Sequence, residues 1–466
     1  MKGIVIGILA AAAFALYVAA ACIPFYTQPQ LSKEQEAQIR AEDFYGEAYQ
    51  GERAGILSEN GEALEERVRL IANAKERIIL STFDMMSDNS GKILMAALLD
   101  AGERGVKVEV LMDGFPYFAH AWGNPYFLAL AGAENVEFRV YNPVNLLKPW
   151  KLMARMHDKY LIADEDVYIL GGRNCYDYFL GDHDGYKNYD WDVLVLTKAG
   201  ASLDALISYF TSVWESGDCV TVGKSAFWSH NPSVEKAAGE LAALYEEIEA
   251  NHPGWLKEAD YEQMTVPVRS ISLVTNPVHT GVKEPVVYYT VTELLSQPGE
   301  QAFFHTPYIM CSSWMMERLS QVCEKNPNIT MMTNSVANNG NPFGAADYYV
   351  HREEILETGL QVLEYDSGVS YHGKCFTVGD RLSGVGSFNW DMRSVYIDTE
   401  LMLVIDGEAL NRQLREAMSR YEAEAFLIRD GEGVRADGAK MQEMDKKQEL
   451  RVRLLAPAAK WFRFIM

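Results

Sequence analysis

One short pattern occurs twice in this chain, and no other feature limits its fold as severely. The first copy is His157-Asp158-Lys159, followed by Gly171-Gly172-Arg173-Asn174. The second is His372-Gly373-Lys374, followed by Gly386-Ser387-Phe388-Asn389. From His to Asn is 17 positions in both. Residues two apart on a strand face one side, so each His and its Lys are expected to point into one site. The apolar runs 160–163 and 375–378 continue the two strands, and Asp164-Glu165-Asp166 or Gly379-Asp380 supplies a polar turn. A return strand then brings the small residues and the Asn back beside the His, where small residues let backbone approach a ligand.

The surrounding sequence is α/β and also reads twice. The pattern predicts strands at 77–83, 106–112 and 136–141 around a helix at 91–104. In the second half it predicts strands at 302–306, 329–333 and 360–365, with helices at 313–324 and 351–358. Strands alternating with helices indicate a largely parallel or mixed sheet covered on both faces. Two such passes indicate two similar domains, at 51–224 and 266–430, joined by a connecting segment at 225–265 that contains a helix near 234–249.

His, Lys and Asn converging on one point suit a phosphate. Lys supplies charge, Asn a neutral donor, and His titrates near neutral pH. One His can attack phosphorus while the other protonates the leaving alkoxide, which divides a transfer into two steps.

The duplicated motif resembles that of the phospholipase D superfamily, His-x-Lys-x4-Asp followed by Gly-[Gly/Ser]-x-Asn. The first copy matches throughout; in the second, Gly379 stands where the Asp belongs and Asp380 comes one position late. Arg155-Met156-His157, Asp190-Trp191-Asp192-Val193, Thr333-Asn334-Ser335, Asn389-Trp390-Asp391-Met392-Arg393-Ser394 and Thr399-Glu400 extend the resemblance to bacterial cardiolipin synthases, in particular the C-type branch. The resemblance implies two phospholipase D-like domains, each a mixed β-sheet flanked by helices. They would be related by a pseudo-two-fold axis, with one active site at their interface. It implies a phosphatidyl group passed through histidine to an alcohol acceptor, with no metal and no cofactor. His157 is then the nucleophile and His372 the general acid, then base, supported by Lys159, Lys374 and Asp164. Asn174, Asn389 and Ser387 would hold the phosphate. Asp192 and Glu400 follow the two motifs at comparable places and are expected to orient the histidines. The substrates implied are phospholipids, phosphatidylglycerol and, as a second donor, phosphatidylethanolamine.

The ends of the chain point to a bilayer. Residues 4–26 are an unbroken apolar and small run behind Lys2, long enough to cross a membrane, and Ala19-Ala20-Ala21-Cys22 is also similar to a lipoprotein cleavage site. Anchor and cleaved or lipidated signal both remain open, and Lys2 places the catalytic body on the extracytoplasmic side. A polar tether is expected at 27–50. The tail at 431–466 is basic and aromatic: its last part, 446–466, carries +5, on a chain whose net charge is −23. Cations beside Leu450, Leu454, Trp461, Phe462 and Phe464 suit an anionic membrane surface.

The acidic balance argues against a nucleic-acid-coating protein, so no nucleic-acid partner is expected. Six cysteines with no CxxC pair give neither a disulfide framework nor a zinc site. Beside phosphatidyl transfer, three readings stay open: phospholipase D hydrolysis, a phosphodiesterase or nuclease, and an inactive membrane-binding module.

Overall fold

The computed structural model describes residues 2–197, 200–223, 231–429 and 431–466. The described residues form two nine-stranded mixed sheets and a two-stranded pair between them. The centre of the first sheet is Arg77–Thr82, parallel to Lys107–Asp113 and antiparallel to Lys159–Ala163. The centre of the second is Ala302–His305, parallel to Ile329–Asn334 and antiparallel to Cys375–Val378. Lys159–Ala163 turns back into Val167–Gly171, and Cys375–Val378 into Leu382–Gly386. The α/β duplication expected from the sequence is therefore the architecture of the protein.

These central strands are largely apolar because both of their faces are covered. The period of two sorts their side chains between cores. Ile78 and Leu80 enter a core beneath the helices of the first half, while Ile79 enters a core shared with the second half. Leu161 and Ala163 separate from Tyr160 and Ile162 in the same way. The shared core takes Met332, Val385 and Leu403 from the second sheet and Tyr371 from the two-stranded pair, so the seam is packed like an interior. The side-chain oxygen of Asp88 caps helix Asn89–Glu103, and that of Ser312 caps helix Ser313–Lys325.

Three sequence expectations change. The helix expected at 351–358 runs Pro342–Glu357, started by Asn341, whose side chain accepts from the amides of Phe343 and Gly344, with Pro342 at the first helical position. The segment read as a tether is docked: Tyr45 donates to Gln297, and the Gly46 amide donates to Asp406. The basic tail is also docked, as helix Lys446–Phe462 along Pro342–Glu357. Val452 packs with Ala345 and Ala346, Arg463 pairs with Asp347 at 2.9 Å, and Arg393 Nη1 donates to the Ile465 carbonyl at 3.1 Å. The expected boundary at 224/225 lies outside the described residues. The helix after it, Pro232–Asn251, buries Leu241 in the core of the first half.

Asp164, expected with the catalytic group, stands at the far end of its strand from His157. Its carboxylate accepts from the backbone amides of Lys75, Glu76 and Arg77 at 2.8 to 3.2 Å. It also holds a left-handed turn, φ 51°, and Gly379 takes the equivalent place at φ 57°. The second copy meets the same backbone requirement with a residue that has no Cβ. Here a Cβ would lie 2.3 Å from Glu300 Oε2. Asp164 is thus a structural brace. We expect Asp164→Ala to lower stability by about 1–3 kcal/mol while kcat of the folded protein stays within twofold; thermal melts alongside turnover check this.

Candidate active site

Neither motif histidine lies inside a strand. His157 precedes Lys159–Ala163 and His372 precedes Cys375–Val378, and each is fixed by pairing across the seam. Met156 forms a parallel bridge with Thr399, and the His157 amide donates to the Thr399 carbonyl at 3.3 Å. Ser370–Tyr371 pairs in parallel with Asn188–Tyr189, and the His372 amide donates to the Tyr189 carbonyl at 2.7 Å. The residue after each acceptor is a carboxylate. Glu400 Oε1 lies 2.9 Å from His157 Nδ1, and Asp190 Oδ2 lies 2.6 Å from His372 Nδ1. Each histidine is therefore oriented by an acid from the opposite half. With Nδ1 donating to the carboxylate, Nε2 carries the free electron pair.

Phe83 meets the His157 ring edge-on at 5.1 Å, and Phe179 meets that of His372 at 4.9 Å. Both histidines line one cavity of about 630 Å³, with Asn174, Tyr178, Tyr186, Tyr308, Asn341 and Arg451 among its walls. Lys159 and Lys374 lie buried beneath the histidines, each donating to the carbonyl of its own motif His, Lys159 at 2.5 Å. Lys374 Nζ is also 3.4 Å from Asp190.

Burial dominates the electrostatics. It pushes His157 well below the ordinary imidazole range, helped by Lys159, and brings His372 to about 4, helped by Lys374 and opposed by Asp190. Lys159 falls to about 7 through burial. The two acids diverge. For Asp190, burial is outweighed by Lys374 and His372, and the carboxyl is held down at about 2. For Glu400, burial outweighs Lys159 and the hydroxyl donors Ser387 and Ser394, and the carboxyl rises to about 8. Burial thus drives the acid behind His157 towards its neutral form, while its neighbours keep the acid behind His372 ionised.

Several expected roles move. Asp192 touches neither histidine. It is fully buried between Arg67 and Arg173, at 2.9 and 3.0 Å. The structural counterpart of Glu400 is Asp190: Gly171 pairs with Asp192 and Gly386 with Met402, so the acids stand two positions earlier in both halves. Ser387, expected on the phosphate, is buried and donates its hydroxyl to Glu400 Oε2. Asn174 lines the cavity, and Asn389 donates to Tyr308 at 3.1 Å behind its wall. The amide oxygens of both Asn residues are buried without a partner. Phe83, Phe179 and Tyr308 carried no signal of their own in the sequence. Among the described residues, no three His, Cys, Asp or Glu side chains converge to hold a metal ion.

Two equivalent half-sites, each completed by the other half, define a phospholipase D-type enzyme. The family profile described as "Cardiolipin synthase, PLD-like domain" matches residues 68–214 and 291–421, more than half of the chain, and the chain belongs to that family. It is 25% identical over 410 residues to cardiolipin synthase C of Escherichia coli, covering 79% of this chain and 84% of that one. It is 26% identical over 417 residues to an uncharacterized protein of Helicobacter pylori, with 80% of each covered. Among solved structures, the phosphatidylserine synthase of Haemophilus influenzae superposes with a TM-score of 0.66 at 16% identity, covering 93% of this chain and 99% of that one, which supports the fold.

The unequal acids give a differential expectation. Glu400→Gln replaces a carboxyl that burial drives towards its neutral form by a neutral amide and should change stability by less than about 1 kcal/mol. Asp190→Asn leaves Lys374 without its buried anion, which should cost about 3 kcal/mol or more and lower kcat at least ~10²-fold. The Asp190 carboxyl is lower in the folded chain than its unfolded value of about 3.9. Its contribution is thus complete above pH ~4 and lost as pH falls towards 2. Acid titration of the wild type should show this loss, and that of Asp190→Asn should lack it.

Proposed function

We propose that this phospholipase D-type phosphatidyltransferase makes cardiolipin, moving a phosphatidyl group onto the hydroxyl of phosphatidylglycerol through a phosphohistidine. The observation that carries the reading is the single cavity lined by both motif histidines, each oriented through Nδ1 by an acid of the other half. His157 is assigned as the nucleophile. Its ring is held neutral, so Nε2 can attack phosphorus as the alkoxide leaves. His372 is assigned as the proton donor, because Asp190 opposes the burial that lowers both rings and leaves His372 the less depressed of the two. It then takes the proton from the incoming hydroxyl, whose oxygen attacks the phosphohistidine and releases His157. Lys159 and Lys374, buried beneath the histidines, are assigned to offset the phosphoryl charge, and Asn174 in the cavity wall to donate to its oxygens, with Asn389 held behind the wall by Tyr308.

The donor is assigned as phosphatidylglycerol, with phosphatidylethanolamine as the second donor the cavity is tested against. Among the described residues one helix, Gly3–Phe25 with mean hydropathy 2.5, is long and apolar enough to cross a membrane. We read it as the anchor of a membrane-bound enzyme whose body faces outward. Hydrolysis with water as acceptor is the second reading, since the same intermediate serves either acceptor.

Purified protein in phosphatidylglycerol vesicles, without added metal, should form cardiolipin detectable by lipid mass spectrometry. His157→Ala and His372→Ala should each reduce it by at least ~10³-fold. Phosphatidic acid as the only product would establish the hydrolase instead, and full activity in either variant would overturn the two-histidine mechanism.

A further inference from the structure

The N-terminal helix does not stand clear of the protein for its full length. Residues 3–16 are exposed on all sides, but from Tyr17 onward the helix touches the body, and Ala21, Cys22 and Phe25 are buried. The bare part rises about 21 Å at 1.5 Å per residue, whereas the hydrocarbon core is about 30 Å thick. If the helix crosses that core, the stretch from Tyr17 to Cys22 must lie within it, together with whatever packs there.

What packs there is the loop that leads into the first motif. Tyr17 donates to the Leu146 carbonyl at 2.9 Å, and the helix also contacts the turn Pro149–Lys151. This loop presents large apolar side chains to the outside. Leu147 is 86% exposed, Leu146, Lys148 and Trp150 are also exposed, and Lys151 is paired with Asp218. Such residues suit the boundary between acyl chains and headgroups, with apolar tips buried and the Lys148 stem reaching outward.

A second element continues the same surface. The C-terminal helix Lys446–Phe462 docks through Val452 and shows Leu450, Leu454 and Trp461 on its outer face, the last two 69% and 76% exposed. At one end its Arg451 lines the catalytic cavity. Just past the other end, Phe464 meets Tyr26 edge-on at 5.3 Å, at the foot of the N-terminal helix. The helix is net basic on an otherwise acidic chain. It therefore runs from anchor to cavity with apolar side chains and cations outward, as a helix lying on an anionic bilayer does.

We propose that the loop 145–151 enters the bilayer beside the anchor, and that the outer face of the C-terminal helix lies on an anionic lipid surface, holding the cavity mouth at that surface. This rests on reading the N-terminal helix as an anchor. It does not depend on which phosphatidyl acceptor is used.

The test is depth, not activity. Full-length chains carrying Leu9→Cys, Leu147→Cys or Leu454→Cys, labelled with an environment-sensitive fluorophore, are reconstituted in phosphatidylglycerol–phosphatidylcholine vesicles, with the unsubstituted chain as the labelling blank. All three positions should be quenched at least threefold more by a lipid-borne nitroxide than by aqueous iodide. The signal at 454 should fall at least twofold when the anionic lipid is omitted. An aqueous label at 147 with a lipid-exposed one at 9 overturns the loop insertion and leaves the anchor standing. An aqueous label at 9 overturns the anchor and the inference with it. An aqueous label at 454, or one indifferent to lipid charge, overturns the placement of the C-terminal helix. None of these outcomes depends on whether cardiolipin is made.

Discussion

The active-site geometry depends on an exchange across the seam: His157 is held by Glu400 and His372 by Asp190. The exchange is built in backbone before it is built in side chains. Two short parallel pairings, Met156 with Thr399 and Ser370–Tyr371 with Asn188–Tyr189, set each histidine next to the strand start of the other half. Because these pairings are buried, slipping one by a residue would turn side chains to the wrong face and leave polar backbone unpaired. Neither half can form a complete site alone, so the shared core between the sheets is as necessary to the chemistry as the histidines.

That dependence also accounts for what could be read in the sequence. The duplicated motif, the alternation of apolar strands with helices and the matched 17-residue spans are local patterns, and local patterns survive in one dimension. Asp190 is not local to His372. It lies 16 positions after Asn174, whereas Glu400 lies 11 after Asn389, so counting along the chain does not identify the counterpart. Strand register resolves the ambiguity, and register is a property of the sheet. Ser387 misled for a related reason. A hydroxyl beside a phosphate motif suggests a phosphate donor, yet the fold turns it towards Glu400.

The missing Asp of the second motif shows how a departure in sequence can preserve a structure. What the turn after each motif strand requires is a left-handed residue whose amide donates back to the neighbouring strand. Asp164 donates to the Arg77 carbonyl at 2.8 Å, and Gly379 to that of Gln301 at 3.0 Å. Aspartate meets the requirement by gathering three backbone amides around its carboxylate, and glycine meets it by steric freedom. The shared feature is the backbone, and both residues preserve it.

Near-symmetry in the backbone is joined to asymmetry in what lies behind each histidine. In the first half Asp158 is buried between Thr399 and Tyr209, and burial raises it to about 7 despite those hydrogen bonds. In the second half Gly373 holds that place, and a Cβ there would come within 2.5 Å of Trp191 Nε1 and the Tyr371 hydroxyl. That space is filled by Trp191 donating to Tyr371, which in turn contacts His305 at 2.7 Å, with Glu422 and Arg415 beyond. One histidine is thus backed by two acids that burial drives towards their neutral forms. The other is backed by an ionised carboxylate beside a lysine. Phosphoryl transfer through an enzyme nucleophile needs one imidazole that stays uncharged until it attacks and one that can hold a proton. A duplicated fold supplies two equivalent positions, and the unequal side chains packed behind them give the two imidazoles different surroundings, on which the proposed division of tasks rests.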